Sequence, residues 1–336
     1  MMLADYLAAV TRLNQHASFN GAMQVVTPRQ VLYAYAAGLA NIEKNTPFTS
    51  RTVTGIGSLS KQFLAIAVGE VQVTAGRLHL TDRVAQFLPD YPQAAAVTIA
   101  DLLTMASGIP DYPTLLQKQH PTGARSAASD PQSVRRLGAD LSLADLLALL
   151  DDHSLAFTPG SQGAYSDTNY YLLGLILTKV LQKPLGQILT DTVWQPLGLT
   201  ATQLGTQHAQ AASYLPWDDE LLFIGKGHHT AGDSGIVTSA ADYARWLQTI
   251  LQRSESLLPA AAWQTLFTIQ HNFYGMGWFR HGPWFWHSGL ILGYQADVFL
   301  SFKHQLAVFW FTNVRFLTAS AQDWNRQQRI WLDQLT

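Results

Sequence analysis

Ser58 and Lys61 stand three residues apart in Gly55-Ile56-Gly57-Ser58-Leu59-Ser60-Lys61, at the head of a long apolar run. On a helix, a residue three positions on lies on the same face, one turn along. The spacing therefore predicts that the Lys61 amine reaches the Ser58 hydroxyl. A hydroxyl at a helix N-terminus sits where unpaired N–H groups and the helix dipole favour developing negative charge. A base beside a hydroxyl, with an anion site nearby, is the minimum kit for acyl transfer. Alone, the pair has an ordinary reading as well, a helix-capping serine followed by a solvated lysine.

Two other segments carry compatible chemistry. Tyr165-Ser166-Asp167 follows a Pro159-Gly160 turn and leads into an apolar helix. A tyrosine there either packs or shuttles a proton to a leaving group. Further on, Trp286-His287-Ser288-Gly289-Leu290 reads as a strand. A glycine in a strand lets substrate lie against the backbone. In the functional reading His287 faces the pocket, and Ser288 and Gly289 form the substrate strand. The Leu290 N–H is then the second oxyanion donor, beside that of Ser58.

The elements that must position these groups follow from periodicity. Residues 3–16 have the pattern of an amphipathic helix, and 22–26 with 31–35 that of a β-hairpin. A helix from residue 58 fades near Gly76. From about 80 to 230 the signals are mostly helical. Thr98 with Asp101, Ser142 with Asp145 and Ser239 with Asp242 have capping-box spacing. Residues 117–140 are polar and rich in breakers, and predict a surface loop. Strands are expected at 274–279, 284–287, 294–302 and 306–312, and a final helix at 322–335. Strand signals near both ends with helices between them predict an α+β fold. One antiparallel sheet is built from residues 1–80 and 235–336, with a mostly helical inserted domain over 81–234.

Composition excludes several classes. The chain has 336 residues, 48% hydrophobic and 13% charged, which is the profile of a folded globular protein. A formal charge of −2 without a dense basic block argues against nucleic acid. The absence of cysteine removes disulfides, thiol nucleophiles and thiolate metal sites. No apolar stretch is long enough to span a bilayer. The N-terminus lacks the character of a signal peptide, so the chain as it stands reads as cytoplasmic; a chain trimmed of a leader and working outside the cytoplasm would read the same.

The three elements occur in the order Ser-x-x-Lys, Tyr-x-Asp, His-x-Gly, and the chain resembles the penicillin-binding serine hydrolases. That family includes class C β-lactamases, D-alanyl-D-alanine carboxypeptidases and β-lactamase-fold esterases. The likeness extends to Asp101-Leu102-Leu103-Thr104 with Ser107-Gly108, to Tyr165 through Gly174, to Gln195-Pro196-Leu197-Gly198-Leu199, and to Ala231-Gly232-Asp233-Ser234-Gly235. It implies a β-lactamase/transpeptidase-like fold and no cofactor or metal. It also implies Ser58 as nucleophile, Lys61 with Tyr165 as proton acceptor, and an oxyanion site at the N–H groups of Ser58 and Leu290. The substrate class is then a small ester, an amide or a D-amino-acid peptide. A weak β-lactamase and a penicillin-binding sensor that acylates without turnover are the alternatives.

Two departures from the family pattern carry chemical weight. Asp167 stands where Asn is usual, bringing a negative charge towards Lys61 and favouring its protonated form. His287 stands where class C β-lactamases carry Lys, and a neutral histidine supplies less charge for an anionic substrate. Two other features are expected to be bland. Gly232-Asp233-Ser234-Gly235 looks like a trypsin-type nucleophile loop but sits in helical surroundings. His228-His229 lacks metal-ligand spacing and reads as a loop near the pocket mouth. The cluster Trp278, Phe279, Trp284, Phe285 and Trp286 should be mostly packing, with one or two members lining an acyl pocket.

Overall fold

The computed structural model describes residues 1–16, 19–120, 129–151, 153–218, 220–315 and 319–335. Its frame is a six-stranded antiparallel sheet. The strands are β1 (Gly21–Val26), β2 (Val31–Ala37), β4 (Phe279–His281), β5 (Trp284–Ile291), β6 (Tyr294–Ser301) and β7 (Leu306–Thr312), in the spatial order β4-β5-β6-β7-β1-β2. The short β3 (Ile236–Thr238) lies outside this sheet and pairs with Thr54–Gly55. The seam between the chain's two ends is β1 against β7, with Met23 opposite Trp310 and Ala22 opposite Phe311.

Alternation along these strands builds two cores. Met23 and Val25, with Val308 and Trp310, point to one face. There α1 (Leu3–His16) and α5 (Ala319–Asp333) cover them through Tyr6, Val10, Trp324 and Leu332. Ala22, Phe309 and Phe311 point to the other face and join the larger core. This is the period-2 arrangement that a sheet covered on both sides requires.

On the larger face lies α2 (Ser60–Ala75). Residues 60–68 are all buried, which explains a run apolar on nearly every side. Phe63 stacks on Trp246 of α4 (Ala240–Gln252) at 4.2 Å between ring centroids. Truncating an aromatic ring in such a core to alanine costs about 3–5 kcal/mol. The helix ends at Gly76, whose left-handed φ of 58° closes the last turn. No single helix among the described residues is long and apolar enough to cross a membrane.

Several sequence expectations change in detail. The helix starts at Ser60, not Ser58; residues 57–59 form a tighter 3-10 turn that displays Ser58 before the helix begins. The loop expected over 117–140 contains the end of a helix (Tyr112–Gln119) and another at Pro131–Leu137, capped by Asp111 and Asp130; residues 121–128 lie outside the described residues. Residues 274–278 are not a strand: Tyr274 makes only isolated bridges to Gln270 and Phe279. Gly277, at φ 87°, brings that segment onto the first turn of α2, where a Cβ would lie 2.9 Å from the Gln62 Cα. Thr98 and Ser142 form reciprocal capping boxes. Ser239 caps one way only, because the Asp242 carboxylate accepts the Ala201 N–H instead.

The contact that positions the chemistry joins the 57–59 turn to β5. A Cβ on Gly289 would stand 2.0 Å from the Ile56 carbonyl oxygen and 3.0 Å from the Ser58 nitrogen. A Cβ on Gly57, at φ 52°, would stand 2.5 Å from the Leu290 nitrogen. Backbone meets backbone here, which only glycine permits. The Ser60 hydroxyl fastens the turn from behind, donating to Gly57 O at 2.6 Å and accepting the Ile236 N–H at 3.0 Å.

Gly289→Ala should force β5 off the turn. We expect a loss of about 1–3 kcal/mol, typical of overpacking, read as a lower thermal midpoint. Ser58 reactivity should fall with it. A variant with wild-type stability and wild-type Ser58 labelling would refute the close contact.

Candidate active site

Ser58 is half-buried on the 57–59 turn, while Lys61 one helical turn later has no exposed surface. The Lys61 ammonium donates to Asp167 Oδ1 at 2.5 Å and to the Asp233 carbonyl at 2.8 Å. It also lies 5.2 Å from the Tyr165 ring centre and 5.7 Å from that of Tyr170. Neither hydrogen bond goes to Ser58. A buried cation takes a carboxylate in preference to a neutral hydroxyl because the charge-assisted bond is roughly twice as strong. The Ser58 hydroxyl instead lies by the Tyr165 phenol, where it favours the ionised form of that group. The Tyr165 hydroxyl in turn faces Asp167 Oδ1 at 3.2 Å. Hydrogen bonds therefore join Tyr165, Asp167 and Lys61, with Ser58 beside the phenol, and the bonds of Lys61 go elsewhere than to Ser58, which the spacing predicts as its partner.

Tyr165 and Asp167 reach this position from the start of α3 (Asp167–Leu181). The Asp167 N–H donates to Asp111 Oδ1 at 2.8 Å, and Thr168 Oγ1 donates to the Pro110 carbonyl at 2.7 Å. The α3 start is thus fixed to the segment before the 112–119 helix. Within α3 the Tyr170 hydroxyl donates to the Leu103 carbonyl at 2.8 Å, tying it to the Asp101–Thr104 segment.

Burial sets the proton affinities. It pushes the Tyr165 phenol well above its ordinary value, and the Asp167 carboxylate adds to that, so Tyr165 rests as a neutral phenol. Burial also pushes Asp167 up to about 6, opposed by Lys61 and assisted by Asp111 and Asp233. Asp167 is therefore a carboxylate that titrates near neutrality, the range suited to a general base.

His287 is 1% exposed and keeps both ring nitrogens occupied. Nδ1 lies 2.7 Å from the Ser288 carbonyl and Nε2 2.9 Å from the Tyr274 hydroxyl. A carbonyl only accepts, so Nδ1 donates and Nε2 accepts from Tyr274. Burial, with Lys61 nearby, lowers its pKa to about 3, and the ring is neutral. Its centroid is 6.0 Å from that of Tyr165. Of the substrate-strand residues, Gly289 lies against Ser58, whereas the Ser288 hydroxyl turns to the other sheet face. There it donates to Asp297 and accepts from Arg329 at 3.1 Å. Ser288 thus offers the site its backbone and not its hydroxyl. Leu290 is 46% exposed, and its N–H lies against the turn that bears Ser58.

Sequence reasoning missed Asp233, His229, Tyr112 and Tyr274. His228 is exposed, but His229 is fully buried and bonds Asp233 Oδ1 through Nε2 at 3.1 Å, so it is not a pocket-mouth loop residue. The Asp233 carboxylate also accepts from the hydroxyls of Tyr112 at 3.1 Å and Ser234 at 2.8 Å. The Ser234 hydroxyl is spent on that bond. The sequence signal lay in the Gly-Asp-Ser-Gly stretch itself, where the serine drew notice and the aspartate carried the contacts. Of the aromatic cluster, Phe279 stacks on Tyr165 at 5.9 Å and forms a wall of the site, while Trp278 and Trp284 are core. Among the described residues no group of three or more His, Asp or Glu could hold a metal ion.

A profile of the Beta-lactamase family matches residues 8–330. The chain is 24% identical over 269 residues to a "Putative D-alanyl-D-alanine carboxypeptidase" of Escherichia coli (strain K12), a match covering 68% of this chain and 58% of that protein's length. Its fold is similar to that of "EstCE1, a hydrolase with promiscuous acyltransferase activity", with a TM-score of 0.75 at 22% identity, covering 98% of this chain and 97% of the other. It is equally similar to the D-amino acid amidase from Ochrobactrum anthropi SV3, with a TM-score of 0.75 at 19% identity over 98% and 97% of the two chains.

A base works only when deprotonated, so Ser58 labelling by a fluorophosphonate should rise with pH through about 6 and level off above it. Asp167→Asn should remove that limb and lower the labelling rate by about 10²–10⁴-fold. An Asn variant with the wild-type pH profile would show that Asp167 takes no proton.

Proposed function

The chain belongs to the beta-lactamase family, whose members are serine hydrolases, and we propose that it hydrolyses uncharged esters or amides through an acyl-enzyme on Ser58. The observation that carries this reading is the Tyr165 phenol, which donates to the Asp167 carboxylate and has the Ser58 hydroxyl beside it. In this reading, Ser58 Oγ attacks the substrate carbonyl carbon. Its proton passes to the Tyr165 oxygen as the phenol proton moves to Asp167, so no free phenolate forms. The oxyanion faces the N–H groups of Ser58 and Leu290. When the carbon–leaving-group bond breaks, Tyr165 returns a proton to the departing atom and recovers one from Asp167. Water enters by the same route and gives its proton to Tyr165 as the phenol proton moves to Asp167; when the acyl–Ser58 bond breaks, Ser58 Oγ takes a proton back from Tyr165, Tyr165 recovers one from Asp167, and the acid leaves. Lys61 stays an ammonium that holds Asp167 in place and offsets its charge. No step needs a cofactor.

The neutral His287 supports the substrate class. A substrate with a carboxylate beside the scissile bond, whether a penicillin or a peptide ending in D-alanine, gains most from a fixed cation at this strand. His287 supplies none, because its ring is neutral and both nitrogens are bonded within the protein. An ester or amide without that carboxylate has no such need.

Intact-mass analysis after a fluorophosphonate, a penicillin and p-nitrophenyl butyrate, on wild type and Ser58→Ala, tests the nucleophile. Adducts should form only in the wild type, and labelling that survives the loss of the Ser58 oxygen refutes it. Steady-state turnover then tests the class. Wild type should favour p-nitrophenyl butyrate and D-phenylalanine amide over penicillin and a D-Ala-D-Ala peptide by at least about tenfold in kcat/KM, or about 1.4 kcal/mol. Preference for the D-Ala-D-Ala peptide would make it a carboxypeptidase. A burst followed by a trapped penicillin adduct would make it a sensor.

A further inference from the structure

Behind Lys61 lies a second buried charge pair that the acyl-transfer steps do not use. Asp233 is 1% exposed and His229 is fully buried. The Asp233 carbonyl holds the Lys61 ammonium, and its carboxylate is bonded by His229, Tyr112 and Ser234. On its far side, His229 Nδ1 lies 3.4 Å from the Ala139 carbonyl and 3.6 Å from Asp140 Oδ1. Asp140 is itself held by the N–H and hydroxyl of Thr230, with His228 at 3.8 Å. The Tyr171 ring of α3 stands edge-on to His229 at 6.3 Å. Charges thus alternate along one line: Asp167, Lys61, Asp233, His229, Asp140.

We propose that the Asp233–His229 pair positions Lys61 and cancels the charge of the second carboxylate near it, leaving Asp111 as the other carboxylate that acts on the Lys61–Asp167 couple. The inference rests on the acyl-transfer reading of Ser58 and adds two positioning residues to it. The physical need is direct. Two carboxylates around one buried ammonium, Asp167 bonded to it and Asp233 near it, leave a net negative charge, which raises the proton affinity of the couple and delays the base until higher pH. The imidazolium removes that surplus. Burial works against a charged imidazole, but Asp233 and Asp140 outweigh it and raise the His229 pKa. Burial likewise opposes the Asp233 carboxylate, and His229 and Lys61 outweigh it, holding Asp233 down at about 2. Both members are then charged wherever the couple titrates.

The test is the pH profile of fluorophosphonate labelling in His229→Gln, in Asp233→Asn with His229→Gln, and in wild type. His229→Gln leaves a bare carboxylate and should move the limb near pH 6 upward by about one unit. The double variant restores neutrality and should bring the limb back to the wild-type position. A purely structural role predicts the opposite order, with the double variant more impaired than the single. An unmoved limb in His229→Gln, or a double variant as far displaced as the single, overturns the proposal. Should the variants not fold, the imidazole ¹⁵N shifts of wild-type His229 decide: imidazolium through the limb supports the pair, and a neutral ring overturns it. Failure of the acyl-transfer reading itself is recognised separately, as labelling that survives Ser58→Ala.

Discussion

A lysine with no exposed surface is the constraint around which the site is arranged. Moving an ammonium out of water costs several kcal/mol, and an unpaired one would be neutralised or expelled. Lys61 stays because Asp167 and the Asp233 carbonyl replace its water. That arrangement has a consequence. The ammonium is spent on a carboxylate and a backbone carbonyl, and the hydroxyl of Ser58 is left beside Tyr165. Asp167 puts a carboxylate where the family pattern implies an amide, and in the proposed mechanism the base role passes from the amine to Asp167 through the phenol.

Around that cation the fold uses backbone where side chains would be too large. Gly57 and Gly289 let the nucleophile turn and β5 touch, and the Ser60 hydroxyl ties the same turn to β3. Three segments distant in sequence therefore meet at Ser58 with little freedom. The sheet lends this rigidity, because β5 is the second strand of six and is anchored to β6 from Phe285 to Ile291. The far face adds its own tie, with the Ser288 hydroxyl, Asp297 and Arg329 joined beneath the strand.

Neighbouring aromatic groups divide between packing and chemistry by small differences of position. Tyr274 bonds His287 Nε2, while Phe279 stacks on Tyr165 and shapes the space beside it. Trp278 and Trp284, close by in sequence, are sealed in the two cores. Place on the alternating strands separates Phe279 from Trp284, and the irregular segment before them places Tyr274 and Trp278.

The amino-acid sequence alone determined the local and the repetitive. Periodicity marked α1, the β1–β2 hairpin, β5 to β7 and α5, because burial on one face writes itself into spacing. The Ser-x-x-Lys, Tyr-x-Asp and His-x-Gly segments marked residues that the fold brings to one place. What only the tertiary structure decided were the partners. Whether Lys61 bonds Ser58 or Asp167 depends on the approach of α3 to α2, which residue spacing does not encode. That His287 is neutral depends on burial and on Lys61, and that Asp233 makes the contacts that drew notice to Ser234 depends on a carbonyl and a buried histidine. Spacing along a chain fixes which side chains share an element; proton affinity and bonding are set by groups brought in from elsewhere, and those enter only when the chain has folded.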